Sequence, residues 1–101
     1  MKPVIIEEEA ERELVGSVGF YERRRTGLGL EFERSARQAV HIIQSDPERH
    51  PRQKDGTRRC VMERFPFIIC YMDLPERIWI VAFAHASRKP NYWKSRLPFK
   101  P

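Results

Sequence analysis

The chain has 101 residues, 41% of them apolar and 33% charged, with a formal net charge of +5 and a pI near 9.6. That length supports one domain of about two packed layers, since smaller pieces would bury too little surface to fold. No apolar stretch approaches the roughly 20 residues needed to cross a bilayer, and the acidic turn at Glu7 excludes an ordinary signal peptide, so a single cytoplasmic domain over residues 1–101 with no membrane partner is expected.

Pro3 to Ile6 is a short β-branched run that reads as a brief strand. From Glu7 the period changes: Ala10, Leu14, Val18 and Tyr21 recur at helical spacing. Glu7, Glu8 and Glu9 fall in the first turn and Arg23, Arg24 and Arg25 in the last, which suits the helix dipole at both ends. Thr26-Gly27-Leu28-Gly29 reads as the break. A second amphipathic helix carries Phe32, Ala36, Ala39, Val40 and Ile43 on one stripe and stops at Ser45-Asp46-Pro47. Two apolar stripes and a short connection predict an antiparallel helical hairpin.

Pro47, Pro51 and Gly56 mark a loop, and here the charge changes sign. Residues 1–46 hold 7 Lys/Arg against 9 Asp/Glu, a net of −2; residues 47–101 hold 12 against 5, a net of +7. Such a half attracts polyanions (nucleic acid, acidic protein segments, anionic lipid), or is simply a solvated basic face. Thr57–Arg64, Phe67–Met72 and Arg77–Ala84 then read as three strands broken at Phe65-Pro66 and at Asp73-Leu74-Pro75-Glu76. Short connections make them an antiparallel meander, and the apolar density of the last two implies cover on both faces, one of it from the hairpin. Pro90–Arg96 fits one helical turn, closing with Leu97-Pro98-Phe99. The predicted fold is α+β in the order β-α-α-β-β-β.

Cys60 and Cys70 read as small buried hydrophobes. A turn with an even number of residues would place them on opposite faces, and a three-residue turn centred on Phe65 would place them across from each other. No zinc-ligand spacing, phosphate-binding glycine loop or dinucleotide fingerprint occurs, so neither metal nor cofactor is expected.

The candidate chemistry gathers near the strand ends: Arg58, Arg59, Arg64, His85, Arg88, Lys89, Tyr92, Lys94 and Arg96. RNA cleavage needs little beyond a base for the 2′-hydroxyl, an acid for the leaving oxygen and cations for the phosphate. His85 suits proton transfer near neutral pH. Tyr92 could act as a base only if neighbouring guanidinium groups lowered its pKa. With Arg64 these form the candidate catalytic set, and Arg58, Arg59, Arg88, Lys89 and Arg96 the candidate substrate-binding set, with Arg58, Arg64 and Arg88 on the scissile phosphate. Strand periodicity puts Arg58, Cys60, Met62 and Arg64 on one face and Arg59, Val61 and Glu63 on the other, so the adjacent arginines are separated. Plainer readings stand beside these: a structural His85, Arg58 and Arg59 in salt bridges with the helix acids, and Tyr92-Trp93 as a packing anchor.

The element order, with Tyr21-Glu22, Gly27 to Phe32, Asp46-Pro47, Arg58-Arg59, Arg64 to Ile69, Tyr71 and His85 to Trp93, resembles the RelE/ParE superfamily of small bacterial toxins over residues 5–96. The resemblance implies a toxin of a type II toxin-antitoxin module, neutralised by a cognate antitoxin. Its RelE-like branch cuts mRNA in the ribosomal A site, whereas its ParE-like branch poisons DNA gyrase and lacks the catalytic groups. Arg64, His85, Arg88 and Tyr92 suit the first branch; the long paired helices and the Gly27–Phe32 segment suit the second at least as well. The first reading is therefore a toxin that binds RNA at the ribosome and cleaves it without a metal, the second a gyrase inhibitor in which the same residues bind or pack, and a non-toxic nucleic-acid or partner-binding module of the same fold the third.

Overall fold

The computed structural model describes residues 1–98, and Phe99 of the expected closing run lies outside the described residues. The order is β1 (Val4–Ile6), α1 (Glu8–Arg24), α2 (Leu28–Ser45), β2 (Arg58–Val61), β3 (Phe67–Asp73), β4 (Ile78–His85) and a 3₁₀ turn (Tyr92–Arg96). This is the predicted α+β fold. Acidic Glu8, Glu9 and Glu11 in the first turn of α1 and Arg23 and Arg24 in the last complement its dipole.

The interhelical break is tighter than the four residues expected. Gly27 alone takes the left-handed conformation (φ 89°), and Leu28 is already helical. Gly29 serves a different purpose inside α2: a Cβ there would lie 2.6 Å from the Val18 carbonyl oxygen and 3.0 Å from Glu22 Cβ, so its lack of a side chain lets the helices touch. The Glu22 carboxylate then accepts hydrogen bonds from Gly27 N (3.0 Å) and Gly29 N (3.1 Å), capping α2 from the neighbouring helix.

The sheet order is β1-β4-β3-β2, with β1 parallel to β4 and the other pairs antiparallel. Cys60 lies opposite Ile69 and Arg59 opposite Cys70, so the two cysteines occupy opposite faces; both are free and buried. Burial pushes the Cys70 thiol up to about 12. Under the hairpin, Phe32, Ile43, Ile69, Ile80 and Phe83 form the main core. The far face carries a second cluster of Cys70, Val81, Ala82 and Ala84 beneath Trp93 and Leu97. A bulge explains how Val81 and Ala82, adjacent in sequence, share that face: Cys70 pairs with Ala82 but Tyr71 with Ile80, leaving Val81 as the extra residue.

Candidate functional site

β4 ends at His85, directly opposite Phe67 at the start of β3, and the corner is closed by Ala86 N donating to Pro66 O at 2.7 Å. The His85 ring packs edge-on against Phe67 at 5.1 Å. Its Nδ1 accepts from Ser87 N at 3.0 Å and lies 2.7 Å from Ser87 Oγ. An accepting Nδ1 puts the proton of the neutral ring on Nε2, which makes no hydrogen bond among the described residues. Arg88 N donates to His85 O at 3.0 Å, fixing the turn that follows the strand. Together His85 and Arg88 line a cleft of about 370 Å³ against α1, with Arg12 and Phe20 on the helix side and Phe67 and Phe83 on the sheet side. The Glu13 carboxylate also lines it, so a cleft with an apolar floor, two guanidinium groups, one imidazole and one carboxylate can hold an amphipathic partner.

Tyr92 is not among the lining residues but touches two of them, Arg88 and Glu13. The Arg88 guanidinium sits 4.0 Å over its ring, while its hydroxyl donates to the Glu13 carboxylate. Burial, then the Glu13 hydrogen bond and charge, push the phenol pKa up and outweigh Arg88 and Arg96. The shift runs opposite to the one a tyrosine base requires. Arg96 is closed on the same carboxylate: it donates to Glu13 Oε1 at 2.9 Å, pairs with Glu9 at 3.2 Å and donates to Val81 O at 3.0 Å, with its side chain only 8% exposed. Val81, whose carbonyl it binds, is the bulge residue without a partner on β3.

The remaining arginines lie apart. Arg58 donates to His50 O at 2.7 Å and so ties the 46–56 loop to β2, while Tyr71 Oη on β3 donates to Pro47 O at 2.9 Å and holds the same loop. Burial foremost, helped by the Arg49 charge, lowers the His50 pKa. Arg59 is on the far face, donating to Asn91 Oδ1 at 2.8 Å with its guanidinium 5.2 Å from the Trp93 ring centre. Neither Arg58 nor Arg59 forms a salt bridge with a helix acid; among the candidate arginines Arg96 does so with Glu9 and Glu13 of α1, and Arg64 with Glu31 of α2. Arg64 reaches Glu31 at 2.8 Å and Phe65 at 5.4 Å, and lines a second cleft of about 550 Å³ between α2 and β2. Lys89 is exposed on the turn after β4. The structure thus brings His85, Arg88 and Tyr92 to one end of the sheet and leaves Arg64 in a different cleft.

Glu13 is the residue that sequence reasoning did not single out. It borders the Ala10–Leu14 stripe and reads as an ordinary flanking acid, yet its side chain is 15% exposed and also accepts from Phe83 N at 3.2 Å. Nothing local marks it, because its four donors come from residues 70 to 83 positions away. Among the described residues, no group of three His, Cys, Asp or Glu side chains is arranged to hold a metal ion, and no helix is long and apolar enough to cross a membrane.

No protein-family model matches the chain, and no curated protein does. Among solved structures it is similar to a chain of the chromosomal ParDE TA system from P. aeruginosa, at 18% identity and a TM-score of 0.73, over 86% of this chain and 98% of that one. At that identity the likeness is one of fold.

Proposed function

We propose that the chain is the toxin of a type II toxin-antitoxin pair, held inactive by a cognate antitoxin, and that it acts in the cytoplasm by binding its target rather than by cutting RNA. One observation carries the choice: Glu13 engages both the Tyr92 phenol and the Arg96 guanidinium, so two of the groups that RNA cleavage would use are already occupied. The similarity to a chain of a ParDE system supports the toxin reading, and the resemblance noted in the sequence gives DNA gyrase as the target of its ParE-like branch. On this reading the His85/Arg88 cleft is a docking surface, with Arg88 supplying charge and Phe20 and Phe67 apolar contact.

A second reading, ribosome-dependent mRNA cleavage, is favoured by the shared cleft of His85 and Arg88 and by the uncommitted His85 Nε2. Induced expression separates the two. Early loss of DNA replication with DNA damage is expected, with translation failing later; early loss of translation would overturn the binding reading. Arg88→Glu should relieve growth arrest under either reading. His85→Ala should leave arrest intact if the cleft only binds and relieve it if His85 transfers a proton.

A further inference from the structure

β1 is an outer strand: its three residues pair with β4 on one side, and among the described residues no strand lies on the other. Such an edge recruits other chains unless something covers it. Ile78 N donates to Pro3 O and Glu7 N to Ile80 O, both at 2.9 Å, which fixes the parity of the strand. In a parallel ladder with Ile5 opposite Trp79, residues 3, 5 and 7 turn their main-chain groups toward β4, and residues 4 and 6 turn theirs outward. Gln44 Nε2 donates to Lys2 O at 2.8 Å and stops the edge at one end; α1 leaves the sheet at Glu8 and stops it at the other. Between these stops the outward N–H and C=O of Val4 and Ile6 have no hydrogen-bond partner among the described residues.

This open edge is uncharged, apolar and complementary to itself, and Ile5 at its centre is 48% exposed. A second β1 running antiparallel about a two-fold axis through Ile5 sets Val4 opposite Ile6 of the other copy, so each such pair exchanges both N–H and C=O. The two Ile5 residues then take the close, non-hydrogen-bonded position, with Cα atoms about 4.5 Å apart. Trp79, half-buried and beside Ile5 on β4, extends that contact into an apolar strip on either side of the seam. The register also places Lys2, which pairs with Asp73 of its own chain, opposite Glu8 of the other copy. A parallel pairing would set Glu7, Glu8 and Glu9 against themselves. Gln44 bars a longer extended segment from pairing past Pro3, so a strand as short as β1 itself fits.

We propose that two copies of the chain pair through β1, antiparallel and two-fold, joining two four-stranded sheets into one continuous sheet. The seam is short, so the dimer is transient, in the class that buries less than about 1,200 Å². β1 runs along Ile78–Ile80, at the opposite end of β4 from His85, and the dimer therefore presents the His85/Arg88 cleft twice. The inference does not depend on what the chain inhibits.

The test follows the whole protein from about 10 µM to about 1 mM, a range suited to a small, transient contact. Sedimentation should show monomer giving way to dimer. Hydrogen exchange should slow at Val4 and Ile6 as concentration rises, with Ile5, already bonded to β4, unchanged. Ile5→Lys and Ile5→Glu alter an exposed side chain, so both should fold, and each should weaken dimerisation about tenfold or more by facing like charges across the axis. Mixed in equal amounts, the two variants should pair again, which a sticky surface without this register would not do. Monomer throughout, slowed exchange at Val61 instead, undiminished dimers of both variants, or no recovery on mixing would overturn the proposal. Should either variant unfold, exchange at Val4 and Ile6 in the unaltered protein decides it. Growth arrest on induction is scored separately, so failure here leaves the toxin reading standing and the reverse holds as well.

Discussion

Under the helical hairpin the sheet is closed by Phe32 and Ile43 packed on Ile69, Ile80 and Phe83, whereas its far face is closed by one 3₁₀ turn pinned through Glu13, Tyr92 and Arg96. The first cover is two long helices and needs only apolar area. The second is five residues long and cannot bury enough surface to hold itself, so a carboxylate from α1 supplies the attachment. The comparison teaches that groups which look catalytic in the sequence can be fasteners for a cover that is otherwise too small.

Four substitutions sharpen that comparison, from the largest effect to the smallest. Phe32, fully buried in an aromatic cluster with Tyr21, Phe65 and Phe67, should cost about 3–5 kcal/mol on Phe32→Ala, measured by denaturant unfolding, with little dependence on salt. Glu13→Gln should cost roughly 2–4 kcal/mol, because it leaves the Arg96 guanidinium buried without its main counter-charge. In a double-mutant cycle Glu13 should couple strongly with Arg96 and weakly with Phe32; equal coupling to both would erase the distinction between the faces. Gly29→Ala should cost about 1–3 kcal/mol by forcing α2 off the Val18 carbonyl, with unfolding still a single transition. Arg64→Ala should leave the unfolding midpoint nearly unchanged, since its pair with Glu31 is largely open to solvent and screened.

Alkaline titration probes both faces at once. Burial raises the Tyr71 phenol from 10.0 to about 12, and Tyr92 is raised as well. A phenol whose pKa is higher in the folded state stabilises the fold fully below its unfolded pKa, and that stability is lost as pH rises through the folded value. Stability should therefore fall between pH 10 and about 12, and tyrosinate absorbance should appear together with unfolding. Tyr71→Phe should flatten the fall; a phenolate signal that precedes unfolding at full amplitude would contradict the burial of these rings.

Much of the architecture was legible in the chain. Ala10, Leu14, Val18 and Tyr21 sketched α1, Phe32 to Ile43 sketched α2, and the apolar runs at Phe67 and Ile78 announced a meander, because local periodicity and turn chemistry act over a few residues. The same alternation separated Arg58 from Arg59 correctly. The site was less legible. His85 and Arg88 are three residues apart and their proximity is local, whereas Arg64 is turned into the cleft between α2 and β2, a placement that only the packing of α2 on the sheet creates.

By itself, then, the sequence determined the elements, their order, the charge of each half and the separation of neighbouring side chains across a strand. Tertiary structure alone decided which cysteine register holds, that β1 lies parallel to β4, and that Glu13 claims Tyr92 and Arg96. Periodicity reports which side of an element a residue occupies. The partner it meets there comes from a segment some 80 positions away, and hydrogen bonds and ion pairs over that distance leave no pattern in a single chain.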